Sequence, residues 1–357
     1  MAWIGLGSAA TLAAALAATC LFSGCSTLGY YQQSITGHVD LMQRARPLDD
    51  WLTDPLTPPQ LKQRLALAQQ LRRFAVQELA LPDNASYTRF ADLGRNAAVW
   101  NVVAAPELSL KLKTWCFLVV GCVGYRGFFD QQVAESEASA LRTEGLEVSV
   151  YGVPAYSTLG WTNWIGGDPL LNTLVQGSET QLARLVFHEL AHQVLYLAGD
   201  TAFNESYATA VERLGLARWQ TATGHAAERP EVVQRITDFR ALTRRTREAL
   251  ASLYVSEASD EHKRARKAEL MAGMRADYAA LKARPDGAWV GFNGYDRWFE
   301  RANNAALALQ AAYDGWVPGF ERLFEQQGGD FARFHAEVRR IAELPVEQRL
   351  VLLSVSP

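Results

Sequence analysis

His188-Glu189-Leu190-Ala191-His192 (HELAH) is the stretch on which the reading of this chain turns. Ser178 lies ahead of it with Gln181 three residues on, a capping box that opens a helix. Leu182, Leu185, Val186, Leu190 and Val194 then supply a helical apolar face up to Gly199, read as the C-terminal cap. On a helix of about five turns the two histidines stand on one face, so both imidazoles can reach a single cation. Glu189 sits beside the first of them. Zinc held by three protein ligands keeps a water and lowers its pKa to about 7, leaving a neighbouring carboxylate to take the proton. The motif supplies two ligands, so a third must come from whatever packs against this face.

The following segment offers it. Ala198-Gly199-Asp200 makes a turn, and Asn204 to Leu214 reads as an antiparallel helix with Glu205 and Glu212 on one face. Glu205 lies at the start of the returning helix, at the depth of His192, and small Ala208 lets the two helices approach. Glu212 would sit about 10 Å further along at 1.5 Å per residue. Glu205 is therefore read as the third ligand, and Glu212 as the alternative or as a carboxylate accepting the other N–H of a ligand histidine.

Outward from this core, Pro59 to Leu79 has the apolar spacing of an amphipathic helix, and a second helix is expected around Tyr87 to Val103. Gln131 to Glu144 reads as a helix and Leu146 to Val153 as a strand. Tyr156 to Leu170, rich in aromatics, Gly and Thr, reads as a short hairpin or extended loop. From about residue 216 the chain is almost wholly helical, with runs at Glu231 to Val255, His262 to Ala283, Tyr295 to Tyr313 and Phe331 to Leu344. The expected fold class is α+β, mainly helical, with a small sheet. With 49% hydrophobic residues, 20% charged and a net charge of -3, the chain can build a core and has no basic footprint for nucleic acid.

The N-terminus reads as an address. Residues 1–24 carry no charge, and the apolar run ends in Phe22-Ser23-Gly24-Cys25, which resembles a bacterial lipobox despite Phe22 in place of Leu and no basic n-region. Residues 1–24 are then a lipoprotein signal peptide, Cys25 carries lipid, and residues 25–357 form one domain. Ser26 rather than Asp after the cysteine favours the outer membrane, facing the periplasm. Once Cys20 has left with the signal, Cys116 and Cys122 are the two thiols remaining in an oxidising compartment, as a disulfide or as a free pair.

FHELAHQVLY followed by FNESYATAVERLG, together with WCFLVVGCVGYRGFFD, GVPAYSTLGW, DPLLNTL and NNAALALQAAY, resembles the family of predicted bacterial zinc aminopeptidases, many of them lipoproteins. The resemblance covers nearly all of the mature chain and implies a zincin-like metallopeptidase core. It implies Zn2+ held by His188, His192 and Glu205, with Glu189 as catalytic base and a peptide as substrate. Thr162 to Gly167 is longer than the connection usual in that family. An oxyanion donor is expected opposite the metal, with Tyr156, Tyr125, Arg126 and Tyr207 as candidates, while Asn303 and Asn304 are candidates for holding a substrate terminus. The competing classes are a zinc endopeptidase and a non-catalytic envelope lipoprotein acting as a binding module. Glu189 between the histidines favours hydrolysis.

Overall fold

The computed structural model describes residues 29–117, 121–159, 163, 166–285 and 287–354. Cys20 and Cys25 lie outside them, as do Trp161 and Trp164. In chain order, helix α1 covers residues 29–44. It is followed by β1 (Arg46–Pro47), α2 (Leu48–Thr53), α3 (Pro59–Leu79), β2 (Arg89–Ala91), β3 (Val99–Pro106), β4 (Trp115–Phe117), β5 (Gly121–Val123) and β6 (Arg126–Phe128). Next come α4 (Gln131–Thr143), β7 (Leu146–Val153), β8 (Leu170–Leu171), α5 (Asn172–Val175), α6 (Glu179–Val194) and α7 (Thr201–Thr223). The remainder is helical: α8 (Pro230–Val255), α9 (Asp260–Lys282), α10 (Asp296–Arg301), α11 (Asn304–Asp314), α12 (Val317–Gln326), α13 (Phe331–Ala342) and α14 (Val346–Leu353). The fold is mainly helical α+β.

Where a helix is expected over Tyr87 to Val103, the chain forms β2 and β3 instead. Strand β3 is the middle of an antiparallel sheet, β6-β3-β7, and pairs with β7 over all eight of its residues. One face buries Trp100, Val102 and Ala104 against Ala134, Ala138 and Leu141 of α4, and the other buries Val103 and Ala105 against Ala305 of α11. A strand covered on both sides carries a continuous apolar run, which periodicity cannot tell from a buried helix. The expected helix over Tyr295 to Tyr313 is two, α10 and α11, because the Asn303 side chain accepts from the Ala306 N–H and starts the second. Strand β7 and helix α3 have the bounds expected of them. No strand forms over the described residues of 156–169, which are loop.

The main core gathers α3, α6, α7, α12 and α13, with Phe187, Phe203, Phe320 and Phe334 at its centre. His335 of α13 ties it together. Its Nε2 donates to the Leu79 carbonyl at the end of α3 (2.9 Å), and its Nδ1 accepts from the Tyr207 hydroxyl of α7 (2.8 Å). Burial holds this imidazole down to about 4, against an ordinary 6.5. Between those values the unfolded chain binds a proton that the folded chain refuses, so stability present above pH 6.5 is lost as pH falls towards 4, by about 3 kcal/mol. Urea midpoints of metal-free protein should show this acid slope flattened in His335→Leu. Equal slopes in the two proteins would clear His335 of the effect.

Strands β4 and β5 form a hairpin in which Cys116 and Cys122 are register partners and are joined as a disulfide. Gly121, at φ +72°, lies so close to the backbone of Ala198 and Gly199 that an added Cβ would meet the Gly199 nitrogen at 2.8 Å. The hairpin is thereby seated on the turn between α6 and α7.

Candidate metal centre

Helix α6 is started by the Ser178–Gln181 capping box and buries Leu182, Val186, Phe187 and Leu190 in the main core. Its other face carries His188, Glu189 and His192. The helix stops at Val194, earlier than the expected Gly199, and Leu195 is extended. The side chain of buried Asn204 explains the stop: Oδ1 accepts from the Leu197 N–H and Nδ2 donates to the Leu197 carbonyl, both at 2.8 Å. This clamp holds the connection extended and sends α7 back along α6. Asp200 caps α7 by accepting from the Phe203 N–H.

The returning helix brings Glu205 between the two histidines. His188 Nε2 lies 3.3 Å from Glu205 Oε2, His192 Nε2 lies 3.8 Å from Glu205 Oε1, and the rings are 4.9 Å apart at an edge-to-face angle. All three potential ligand atoms fall within 4.8 Å of one another. Glu212 stands one side further out, with Oε2 3.3 Å from His188 Nδ1 and Oε1 accepting from Arg184 at 2.9 Å. Arg184 in turn donates to Glu228.

The charge state suits a cation. Burial pulls His192 down to about 4, so it is neutral near pH 7. Its Nδ1 has no hydrogen-bond partner, and at 3.8 Å its Nε2 is too far from Glu205 to be bonded. A buried imidazole with a free lone pair is what a metal would complete. Burial works to raise Glu205, but His192 and His188 outweigh it and keep the carboxyl below its ordinary range. Burial likewise works to lower His188, and the flanking Glu205 and Glu212 carboxylates overcome it. Two imidazoles and one carboxylate fit zinc as a donor set.

Glu189 is outside this triad and is pushed up to about 7, first by burial and then by the charges of Glu205 and Asp168. The nearby Ser157 hydroxyl works the other way and lowers it. The same hydroxyl lies 3.3 Å from Asp168, which is 1% exposed and also accepts from the Thr158 N–H and hydroxyl. Sequence reasoning assigns Ser157 and Asp168 no role, because both lie well ahead of the motif and no periodicity links them to it.

The other sequence candidates separate. Tyr207 has its hydroxyl committed to His335 in the core and does not face the cluster. Arg126 pairs with Glu137 and lies over the Tyr30 ring. Tyr156 packs on Phe129 and His38. Tyr125 is the one of the four whose hydroxyl feels both Glu205 and Glu189, and burial raises it well above its ordinary value. Tyr151 and Tyr196 also lie in the field of Glu205, and sequence reasoning misses them. Tyr196 follows His192 by four residues, a spacing that could have flagged it. Asn303 and Asn304 are occupied elsewhere. Asn303 donates to the Val148 carbonyl of β7, and Asn304 donates to the Pro106 and Glu107 carbonyls and accepts from Tyr254.

Fold and cluster together define a mainly helical α+β protein that presents a buried His–His–Glu group able to hold a metal ion. The chain belongs to the family described as "Putative aminopeptidase", whose family model matches residues 29–353, and peptidase function is what that membership supports. It matches no curated protein and no solved structure.

Proposed function

We propose that the protein is a zinc-dependent peptidase with a zincin-like core, acting as an aminopeptidase. The observation that carries this reading is the convergence of His188 Nε2, His192 Nε2 and the Glu205 carboxylate around one point, with Glu189 next to His188 on the same helix. Zinc bound there supplies Lewis acidity to a peptide carbonyl and acidifies a water. The chain's own residues do the rest. Glu212 accepts from His188 Nδ1–H, a tautomer that leaves the Nε2 lone pair to ligate the metal. The Glu189 carboxylate takes the proton of the attacking water and passes it to the leaving nitrogen, and its burial, which disfavours the charged form, strengthens it as a base.

Purified protein should release single N-terminal residues from short peptides and cleave their N-acetylated forms poorly, read by mass spectrometry. Efficient internal cleavage of the acetylated peptides would move the assignment to endopeptidase, and no cleavage of any peptide would remove the peptidase reading.

The same proposal places residues 25–357 as one domain held to the outer membrane, facing the periplasm, by lipid on Cys25 after removal of residues 1–24. Intact mass of protein expressed with its own N-terminus in a bacterial host should show an acylated Cys25, and Cys25→Ala should abolish it. A mature chain beginning elsewhere would refute the address.

A further inference from the structure

Beside the cluster lies a cleft of about 450 Å³, within the range of ligand sites. Val99 and Asn101 of β3 form its floor, the loop after β7 one wall, and α1 with the β4–β5 hairpin the other. The β4–β5 hairpin that walls it is seated, through Gly121, on the Ala198–Gly199 turn between the two helices that carry the cluster. Ser157 and Tyr125 line the cleft, and both lie near enough to Glu189 to act on its charge or feel it.

Its chemistry is one-sided. Among the described residues no Asp, Glu, Lys, Arg or His lines the cleft. The walls are aromatic: Tyr30 stacks on Phe117 with centroids 5.4 Å apart, and Phe129 packs on Tyr156 at 5.0 Å. The α1 wall is fastened, because Gln33 accepts from the Phe129 N–H and donates to the Gly127 carbonyl. A charged side chain entering such a space would lose its water without gaining a partner. An apolar one would gain by burial, and an aromatic ring would also find edges and faces to pack on.

We propose that this cleft is the side-chain pocket of the site and takes a large uncharged side chain, aromatic or aliphatic, from a peptide residue next to the scissile bond. The proposal rests on the peptidase reading and names its substrate class. Tyr30 and Ser34 of α1 are then specificity-determining residues. The helix that follows the proposed lipid anchor forms part of the substrate site.

The test uses zinc-loaded full-length mature protein carrying Glu189→Gln, so that peptides bind without turnover, and calorimetry with two probe series, X-Ala-Ala-Ala and Ala-X-Ala-Ala. With X as Phe or Leu, binding should be about 10- to 100-fold tighter than with Gly, Glu or Lys in one of the two series. Ser34→Phe, which fills the cleft from the helix surface, should abolish that advantage, and Tyr30→Ala should weaken it for Phe. Zinc content and melting temperature report that each variant is folded. Equal affinities for all X, or a preference untouched in both folded variants, would overturn the pocket. Wild-type turnover separates the two readings. Hydrolysis without side-chain preference sinks the pocket and spares the peptidase, whereas the binding preference without hydrolysis of any peptide spares the pocket and sinks the peptidase.

Discussion

Glu189→Gln is expected to lower peptide hydrolysis by at least ~100-fold while zinc content stays near one per chain. The amide matches the carboxylate in size, but it cannot take a proton from water. Zinc should be retained because the proposed ligand atoms belong to His188, His192 and Glu205, and Glu189 lies outside that group. The fold should not suffer either. Burial already disfavours the charged form of Glu189, so a neutral side chain of the same shape costs the core little. Metal analysis and turnover on one preparation decide the matter. Full activity in this variant would remove Glu189 as base, whatever the zinc content.

The second large effect concerns the ligands. His192→Ala and Glu205→Ala should each lose zinc at equilibrium with micromolar chelator, because either leaves two protein ligands where a catalytic site uses three. Glu212→Ala should weaken zinc by only about 10- to 100-fold, the usual cost of losing a partner that orients a ligand histidine. The geometry separates the two carboxylates: Glu205 faces Nε2 of both histidines, whereas Glu212 meets only Nδ1 of His188 and is shared with Arg184. If Glu212→Ala abolished binding and Glu205→Ala did not, the ligand assignment would be wrong.

Much of the candidate centre is legible in the amino-acid sequence, for a local reason. Four residues is about one helical turn, so His188 and His192 have to share a face, and a short turn after α6 favours an antiparallel α7 with Glu205 nearer their depth than Glu212. Strand β7 is legible by its alternation, and α6 by its capping box. Strand β3 is not, since burial on both faces erases the alternation that marks a strand. The early end of α6 is also hidden, because it depends on the Asn204 side chain reaching back seven residues to Leu197.

Spacing along the chain thus settles which side chains share a face, and with that the His188–His192 pair and the place of Glu189 beside it. Tertiary packing alone settles what the face meets. Ser157 and Asp168 act on the charge of Glu189 from a loop, Tyr125 and Tyr151 lie in the field of Glu205 from the β-sheet region, and Tyr207, plausible by its position in the chain, turns into the core to bond His335. The reason is physical. Helical and strand periods are set by backbone geometry within a few residues, whereas the element that covers a given face is chosen by how all the apolar surfaces of the chain are buried at once.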